Sequence, residues 1–158
     1  MKKYAIELKW GIVFFLVSMA WMYFEKLMGW HGENISNHAI YTNFFAIIAI
    51  LLFVFALLDK RKNFYGGKMT WVQGFTAGLI ISIVVAILSP LGQYITHKLI
   101  SPEYFPNVIS FAVENEKMTQ EAAEEYFSLN SYIKQSVMFG LVMGVITSAV
   151  VALFVKKK

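Results

Sequence analysis

Long uncharged runs alternate with charged segments along the whole chain, and this pattern constrains the fold more than any other feature. A helix needs roughly 20 apolar residues to cross a hydrocarbon core of about 30 Å, because lipid offers no other partner for backbone N–H and C=O groups. We extend the first run toward Lys9 and Lys26, whose ammonium groups can reach water along their methylene stems. The sequence predicts a single all-α transmembrane domain over 1–158, an integral membrane four-helix bundle with spans at 8–28, 39–58, 69–96 and 135–155.

The composition agrees with a membrane protein. Of the 158 residues, 58% are hydrophobic and 15% are charged, and a soluble domain of this length could not bury so many apolar side chains. The chain has no cysteine, which excludes disulfides, thiolate metal sites and cysteine nucleophiles. One alternative makes the first span a cleaved signal peptide with its cleavage site at 18–20, but Glu7 is unusual in the basic segment of such a peptide.

The charged residues divide unequally between the two ends of the predicted bundle. Four spans place both termini on one side, and that side carries most of the cations: Lys2, Lys3, Lys9, Lys60, Arg61, Lys62, Lys68, Lys156, Lys157 and Lys158. The other side carries most of the glutamates: Glu25, Glu33, Glu103, Glu114, Glu116, Glu121, Glu124 and Glu125. Because Lys and Arg concentrate on the cytoplasmic side of membrane proteins, we expect both termini in the cytoplasm.

The basic segment between the second and third spans is predicted to contact lipid head groups through Lys60, Arg61, Lys62 and Lys68. A phosphate-binding loop requires Gly, four spacers, Gly-Lys and then Ser or Thr. Here Gly67 and Lys68 are followed by Met69, and Lys62 stands where the first Gly is needed. So short a segment also offers no element that could read a nucleic-acid groove, so no nucleic-acid partner is expected.

The outer loop, 98–134, is predicted to form amphipathic helices that lie on the bundle. An apolar face after Pro106 combines Phe105, Val108, Ile109, Ala112 and Val113. A second helix is indicated by Thr119 as its N-cap with Glu121 in the first turn, because a hydroxyl and an anion both suit unpaired N–H groups. The loop is expected to serve as an acidic cap over the helix ends or as a docking surface for another protein.

The three histidines fall on the outer side together with a glutamate. His31, His38, His97 and Glu25 are therefore candidate metal ligands, since imidazole and carboxylate groups bind zinc, copper or nickel. Their spacing is not that of two ligands on one helix face. The competing interpretation is that these histidines are solvated or cap helix ends.

Polar and small residues inside the spans suggest two further possibilities. Asn43, Gln73 and Gln93 could line a solute path in an oligomer, although hydrogen bonds between helices are the simpler interpretation. The pairs Gly74/Gly78 and Gly140/Gly144 allow close helix approach. Because the third and fourth spans run in opposite directions, we expect each pair to serve a separate contact, one of them between subunits.

Three segments carry a family resemblance: HAIYTNFFAIIAILLFVFALLDKRKNFYGGKMTWVQGFTAGL at 38–79, LSPLGQYITHKLISPEYFPN at 88–107 and KMTQEAAEEYF at 117–127. They resemble the family of small bacterial membrane proteins catalogued as domain of unknown function 4199. The resemblance covers nearly the whole chain and implies a four-span protein of the bacterial inner membrane. It implies no catalytic residue and no cofactor.

Motifs of hydrolases, zinc proteases and dinucleotide-binding enzymes do not occur in the chain. The sequence therefore favours a non-enzymatic accessory or scaffolding protein that contacts membrane lipids, other membrane proteins or a second copy of itself, with no catalytic residue and no cofactor. One alternative is an oligomeric channel or transporter for a small solute. Another is a metal-binding membrane protein that uses the outer histidines.

Overall fold

The computed structural model describes residues 3–157, and these residues include four helical segments long and apolar enough to cross a membrane. The first is α1, Ala5–Leu27. The second combines α2, Ile35–Tyr41, a single 3₁₀ turn at Thr42–Phe44, and α3, Phe45–Asn63. The third is α4, Trp71–Ile95, which continues as a π-helical turn over Thr96–Ile100.

Two shorter helices follow before the last crossing, namely α5, Tyr104–Glu114, and α6, Gln120–Tyr126. The fourth long segment is α7, Leu129–Val155. No β-strand is formed between residues 3 and 157, apart from a single antiparallel bridge of Met69 with Lys157. The predicted all-α bundle of four apolar helices is confirmed.

The long helices are arranged in a ring. Helix α4 packs most extensively against α7. Helix α1 contacts α4, and helix α3 contacts α7. Contacts between α1 and α3 close the ring. The buried core lies toward the end that holds the termini and consists of Phe53, Ala56, Leu57, Met69, Ala77, Ile81, Val151, Ala152 and Val155. Many large apolar side chains are exposed on the outside of the ring, as expected where helices face lipid.

Two helices extend beyond their apolar runs. Helix α3 continues to Asn63, five residues past the predicted boundary at 58, because the Asn63 amide bonds the Asp59 carboxylate at 2.6 Å and cations suit a helix C-terminus. Helix α7 begins at Leu129 rather than 135, because the Ser128 hydroxyl accepts the backbone N–H of Ser131 at 3.3 Å and caps the helix. The length of the apolar run alone therefore underestimates the length of both helices.

The close contact between α4 and α7 is made by glycine and serine residues of both helices. A Cβ on Gly78 would lie 2.6 Å from Ser148 Cβ, and a Cβ on Gly144 would lie 2.5 Å from Ser82 Cβ. The expectation of separate contacts for the two glycine pairs is wrong for Gly74, Gly78 and Gly144, which all face this one interface. Each glycine meets a small residue of the other helix, so antiparallel helices can share one seam without placing glycine opposite glycine.

Pro90 lies inside α4 without ending it. Proline has no N–H to donate to the carbonyl four residues earlier, which here belongs to Ala86. The Ser89 hydroxyl donates to that carbonyl at 2.9 Å and supplies the missing bond. The helix therefore continues through Ile95 toward the outer end of the bundle.

Helices α5 and α6 form a layer at the outer end. The predicted N-cap is confirmed, because the Thr119 hydroxyl accepts the backbone N–H of Ala122 at 3.3 Å. Helix α5 begins at Tyr104, two residues before Pro106, and it buries Tyr104, Val108 and Ala112. The predicted apolar face after Pro106 did not include Tyr104, whose side chain is the most buried of the three.

Candidate metal centre

Glu25 lies in the last turn of α1 and is fully buried at the outer end of the bundle. Its Oε1 accepts the indole N–H of Trp21 at 2.5 Å, and its Oε2 lies 3.0 Å from His31 Nε2. The same Oε2 lies 3.4 Å from His38 Nε2. Because an isolated carboxylate in an apolar interior is very costly, these nitrogen contacts are what stabilise Glu25 in this position.

His31 and His38 each contact Glu25 through one ring nitrogen and a hydroxyl group through the other. His31 Nδ1 lies 2.7 Å from Ser101 Oγ, and His38 Nδ1 lies 3.5 Å from the Tyr104 hydroxyl. Hydroxyl groups both donate and accept, so they can pair with either tautomer of the imidazole. A metal bound by the Nε2 atoms would leave each Nδ1–H to donate to its hydroxyl, which is the usual support of a histidine ligand.

The connection between α1 and α2 holds His31 in place. Gly29 adopts a positive φ of 74°, which suits glycine, and its carbonyl accepts the backbone N–H of Asn34 at 2.8 Å. From the outer layer, the Asn107 amide donates to the His31 carbonyl at 2.9 Å. His31 is 5% exposed and His38 is 19% exposed, so the site is reached past His38.

The size of the cluster fits a transition metal. One ligand atom each from Glu25, His31 and His38 lies within 4.8 Å of the other two. Bonds of about 2.0–2.1 Å in a tetrahedral zinc site place neighbouring ligand atoms roughly 3.3 Å apart. The separations of 3.0 and 3.4 Å from Glu25 Oε2 are close to this value. Two imidazoles and one carboxylate also form the three-ligand set that leaves coordination positions free for water.

His97 does not belong to this group of three ligand atoms, although it lies next to it. Its ring stacks on Phe105 with centroids 4.2 Å apart and is 5.1 Å from the Tyr104 ring, which in turn contacts His31 and His38. His97 Nε2 lies 3.1 Å from the Gln93 amide oxygen and so carries the proton. Its buried Nδ1 has no hydrogen-bond partner within residues 3–157. A lone pair on a buried nitrogen is thus available beside the cluster.

Two tyrosines complete the surroundings. The Tyr104 and Tyr132 hydroxyls lie 3.0 Å apart. Burial raises the pKa of Tyr104 above its usual range, and the neighbouring Tyr132 adds to the effect. Tyr104 therefore remains a neutral hydrogen-bonding group beside His38 and adds no charge to the site.

The predicted lipid-contact cations lie in different surroundings at the opposite end of the bundle. Lys62 and Lys68 are exposed, whereas Arg61 is half-buried and donates to the Val155 carbonyl at 2.6 Å. Lys60 is directed inward, a correction to its predicted place at the surface. Its Nζ lies 2.8 Å from Glu7 Oε1, and the two side chains are 3% and 2% exposed.

The polar residues predicted inside the spans do not converge on one path. The Asn43 amide donates to the Ala39 carbonyl at 2.7 Å within its own helical segment. Gln73 forms a capping box with Thr70 at the start of α4, at the end of the bundle opposite Gln93. Each of the three therefore makes a local hydrogen bond.

Residues 9–157 match the family model described as "Protein of unknown function (DUF4199)". The chain belongs to this family. No curated protein and no solved structure matches it. The matched range includes the four long helices almost entirely and all of Glu25, His31, His38 and His97. The family description names no ligand or reaction, so a function has to be argued from the geometry of the site.

Sequence reasoning selected Glu25 and the histidines but missed the groups that orient them. Trp21 could have been found, because it precedes Glu25 by four residues and such residues are neighbours on a helix. Ser101 and Tyr104 carry no comparable signal. They reach the site only because the chain turns back after the π-helical turn and places the start of α5 over the histidines.

Proposed function

We propose that this protein binds a divalent transition metal ion of the zinc type at the outer end of its helix bundle. The observation that supports the proposal is the cluster of Glu25, His31 and His38, in which Glu25 Oε2 lies 3.0 and 3.4 Å from the two Nε2 atoms and one ligand atom of each residue lies within 4.8 Å of the others. Trp21, Ser101 and Tyr104 support these ligands from behind, as partners of metal ligands usually do.

The metal would enter from the side of the membrane opposite the termini. The excess of Lys and Arg near the termini supports a cytoplasmic location for them, in the inner membrane of a bacterium. The cluster then faces the outside of the cell beneath a layer whose exposed carboxylates attract cations: Glu33, Glu103, Glu114, Glu116, Glu121, Glu124 and Glu125. The binding of a metal from outside, with no chemical step required, is consistent with a sensor or accessory protein.

The free lone pair of His97 Nδ1 suggests what occupies the open coordination position. A three-ligand site normally completes its sphere with water. A water or hydroxide on the metal would offer the hydrogen-bond donor that His97 lacks. This arrangement would explain why no group of the described chain, residues 3–157, pairs with the buried His97 Nδ1.

Purification without chelators, followed by elemental analysis, tests the proposal. We expect one transition metal ion per chain, or uptake of one equivalent of Zn²⁺ or Co²⁺ by a chelator-treated sample. With Co²⁺, visible absorption bands would report the nitrogen and oxygen ligands. His31→Ala should abolish stoichiometric binding, whereas the exposed Glu33→Gln should leave it intact. Equal metal content in wild type and His31→Ala would refute the proposal.

A second candidate function is an accessory protein that docks a basic segment of another membrane protein. It is favoured by the exposed glutamates of α6, Glu121, Glu124 and Glu125, which form an acidic outer face. Crosslinking in native membranes tests it, and we expect a partner that is lost when all three glutamates are replaced by glutamine. Recovery of the same partner with the triple variant would exclude docking at this face.

A further inference from the structure

A small cleft at the end of the bundle that holds the termini lies among the first residues of α1, the end of α3 and the start of α4. Its volume is about 120 Å³, and its wall includes Lys3, Glu7, Lys60, Tyr65, Gln73 and Thr76. This cleft is separate from the metal centre, which lies at the other end of the same helices.

Charge is the first distinctive property of the cleft. Lys60 Nζ contacts both carboxylate oxygens of Glu7, at 2.8 and 3.0 Å, and also donates to the Lys3 carbonyl at 2.7 Å. A full positive and a full negative charge therefore sit side by side in the wall. Both side chains are almost completely buried and paired, so solvent screens their charges poorly and the pair acts on the cleft through its electric field.

The remaining lining groups divide into two kinds. Lys3, Thr76 and the NH₂ group of Gln73 are donors, since the Gln73 amide oxygen already accepts the Thr70 N–H at 2.8 Å. Tyr65 is a further donor, because burial and then the nearby Glu7 charge raise its pKa above the usual value. Aromatic faces accompany them: Lys60 Nζ lies 3.6 Å from the Phe64 ring centroid, and Lys3 Nζ lies 5.2 Å from that of Tyr4. Such faces attract cations.

We propose that this cleft binds the head group of a zwitterionic phospholipid of the phosphoethanolamine class. The Lys3 cation and the Tyr65, Thr76 and Gln73 donors suit the phosphate oxygens. The Glu7 carboxylate, which can accept further hydrogen bonds beside Lys60, suits the ammonium group, which a phosphate-only ligand lacks. Apolar Ala77 and Ile80 continue the wall along α4, which is the direction an acyl chain would take beside a membrane helix.

Lipid competition separates this site from a merely basic surface. A surface made of Lys62 and Lys68 would prefer an anionic lipid to a zwitterionic one. The cleft predicts the reverse, because both lipids carry the phosphate but only the zwitterionic lipid carries an ammonium group that can pair with Glu7. Native mass spectrometry of the purified protein, with phosphatidylethanolamine and phosphatidylglycerol supplied in equal amounts, should show one retained phosphatidylethanolamine. Retention of phosphatidylglycerol instead would overturn the proposal.

A variant that fills the cleft without touching the ion pair gives the matched test. Thr76 lines the cleft and is exposed, so Thr76→Phe should lower phosphatidylethanolamine binding about tenfold, as loss of roughly one charge-assisted contact would. Val72→Phe, one turn earlier on α4 and outside the lining, should bind as the wild type does. Equal binding by the two variants would refute the cleft as the site.

Two further experiments, one with a Glu7→Gln variant and one with a soluble competitor, identify the ligand. Glu7→Gln should remove the preference for phosphatidylethanolamine over phosphatidylglycerol, and circular dichroism in detergent will verify that this variant is folded. Soluble phosphoethanolamine should compete only weakly, because it has no acyl chain to lie along α4. Competition as strong as that of the lipid would assign the cleft to a soluble metabolite and overturn the lipid proposal.

Discussion

Acidic side chains buried at the two ends of the bundle are each held by specific polar partners. At the outer end Glu25 meets two imidazoles and an indole N–H, and at the inner end Glu7 meets Lys60. Ionisable residues within membrane segments are costly and usually pair with one another or mark a functional site. At the inner end Lys60 Nζ contacts Glu7 and the Lys3 carbonyl, whereas at the outer end His97 Nδ1 has no hydrogen-bond partner among residues 3–157.

Removing the hydroxyl behind His31 should weaken metal binding without removing a ligand. Ser101→Ala takes away the group 2.7 Å from His31 Nδ1, and loss of such a supporting partner usually lowers affinity about 10- to 100-fold. Competition with a fluorescent zinc chelator measures the change. Ser110→Ala, in the exposed part of the same outer layer, is the control and should match the wild type. If Ser101→Ala and Ser110→Ala bound Zn²⁺ with equal affinity, the metal would not be bound beside His31.

Metal binding should also depend on pH in a defined direction. A metal and a proton compete for the same imidazole nitrogen, so binding releases protons and weakens as the solution becomes more acidic. We expect Zn²⁺ affinity to fall as the pH is lowered, because protons displace the metal from its nitrogen ligands. Calorimetry in buffers of different ionisation enthalpy would count the released protons, and affinity independent of pH would contradict histidine ligation.

Breaking the Glu7–Lys60 pair should cost more than removing it altogether. A buried charge without its partner destabilises by about 3–5 kcal/mol, whereas replacement of both partners by apolar residues is often neutral. Lys60→Met should therefore lower the unfolding midpoint in detergent strongly. Glu7→Met/Lys60→Met should recover most of the loss. Lys62→Met, at an exposed position, should have little effect, and a similar loss for Lys62→Met and Lys60→Met would contradict the buried pair.

Among the elements, α4 and α7 depend most on each other. Between them, Ser82 and Ser148 each bond a carbonyl of their own helix, four residues earlier, at 2.9 and 2.6 Å. Their hydroxyls are thereby satisfied, and the small side chains still leave room for glycine on the facing helix. Without a hydrophobic force between helices in lipid, such close packing is the main source of association.

One pair of glycines on α7 tests this interface directly. In Gly144→Ala the new Cβ would lie 2.5 Å from Ser82 Cβ, and overpacking of this kind typically costs about 1–3 kcal/mol. In Gly140→Ala the new Cβ meets nothing within 4 Å, so its stability should equal or exceed that of the wild type. Thermal unfolding in detergent compares them, and a larger loss for Gly140→Ala would contradict the packing.

For the whole molecule, orientation decides which ligands can reach each site. The absence of cysteine allows single cysteines to be introduced at exposed positions. With a membrane-impermeant maleimide on intact cells, Glu121→Cys should be labelled and Lys62→Cys should be labelled only after permeabilisation. The reverse pattern would put the metal centre in the cytoplasm, and labelling of both would contradict an odd number of crossings between them.

The two ends of the molecule are also built differently. At the end with the termini, Arg61 bonds the last turn of α7, and Met69 pairs with Lys157 through two backbone bonds of 2.9 Å. The core residues gather at this end. The outer end is held by polar contacts and aromatic rings instead, and it contains the candidate metal ligands Glu25, His31 and His38.

The order of residues was enough to predict four membrane helices, because a run of apolar residues in lipid can satisfy its backbone only as a helix. It also indicated the Thr119 cap and the family, since caps and motifs are local. The pairing of Glu7 with Lys60, and of His31 with Ser101, joins residues 53 and 70 positions apart, and no local pattern encodes such distances. These contacts form only when the helices pack together. The tertiary structure therefore decides which charged and polar side chains become buried neighbours.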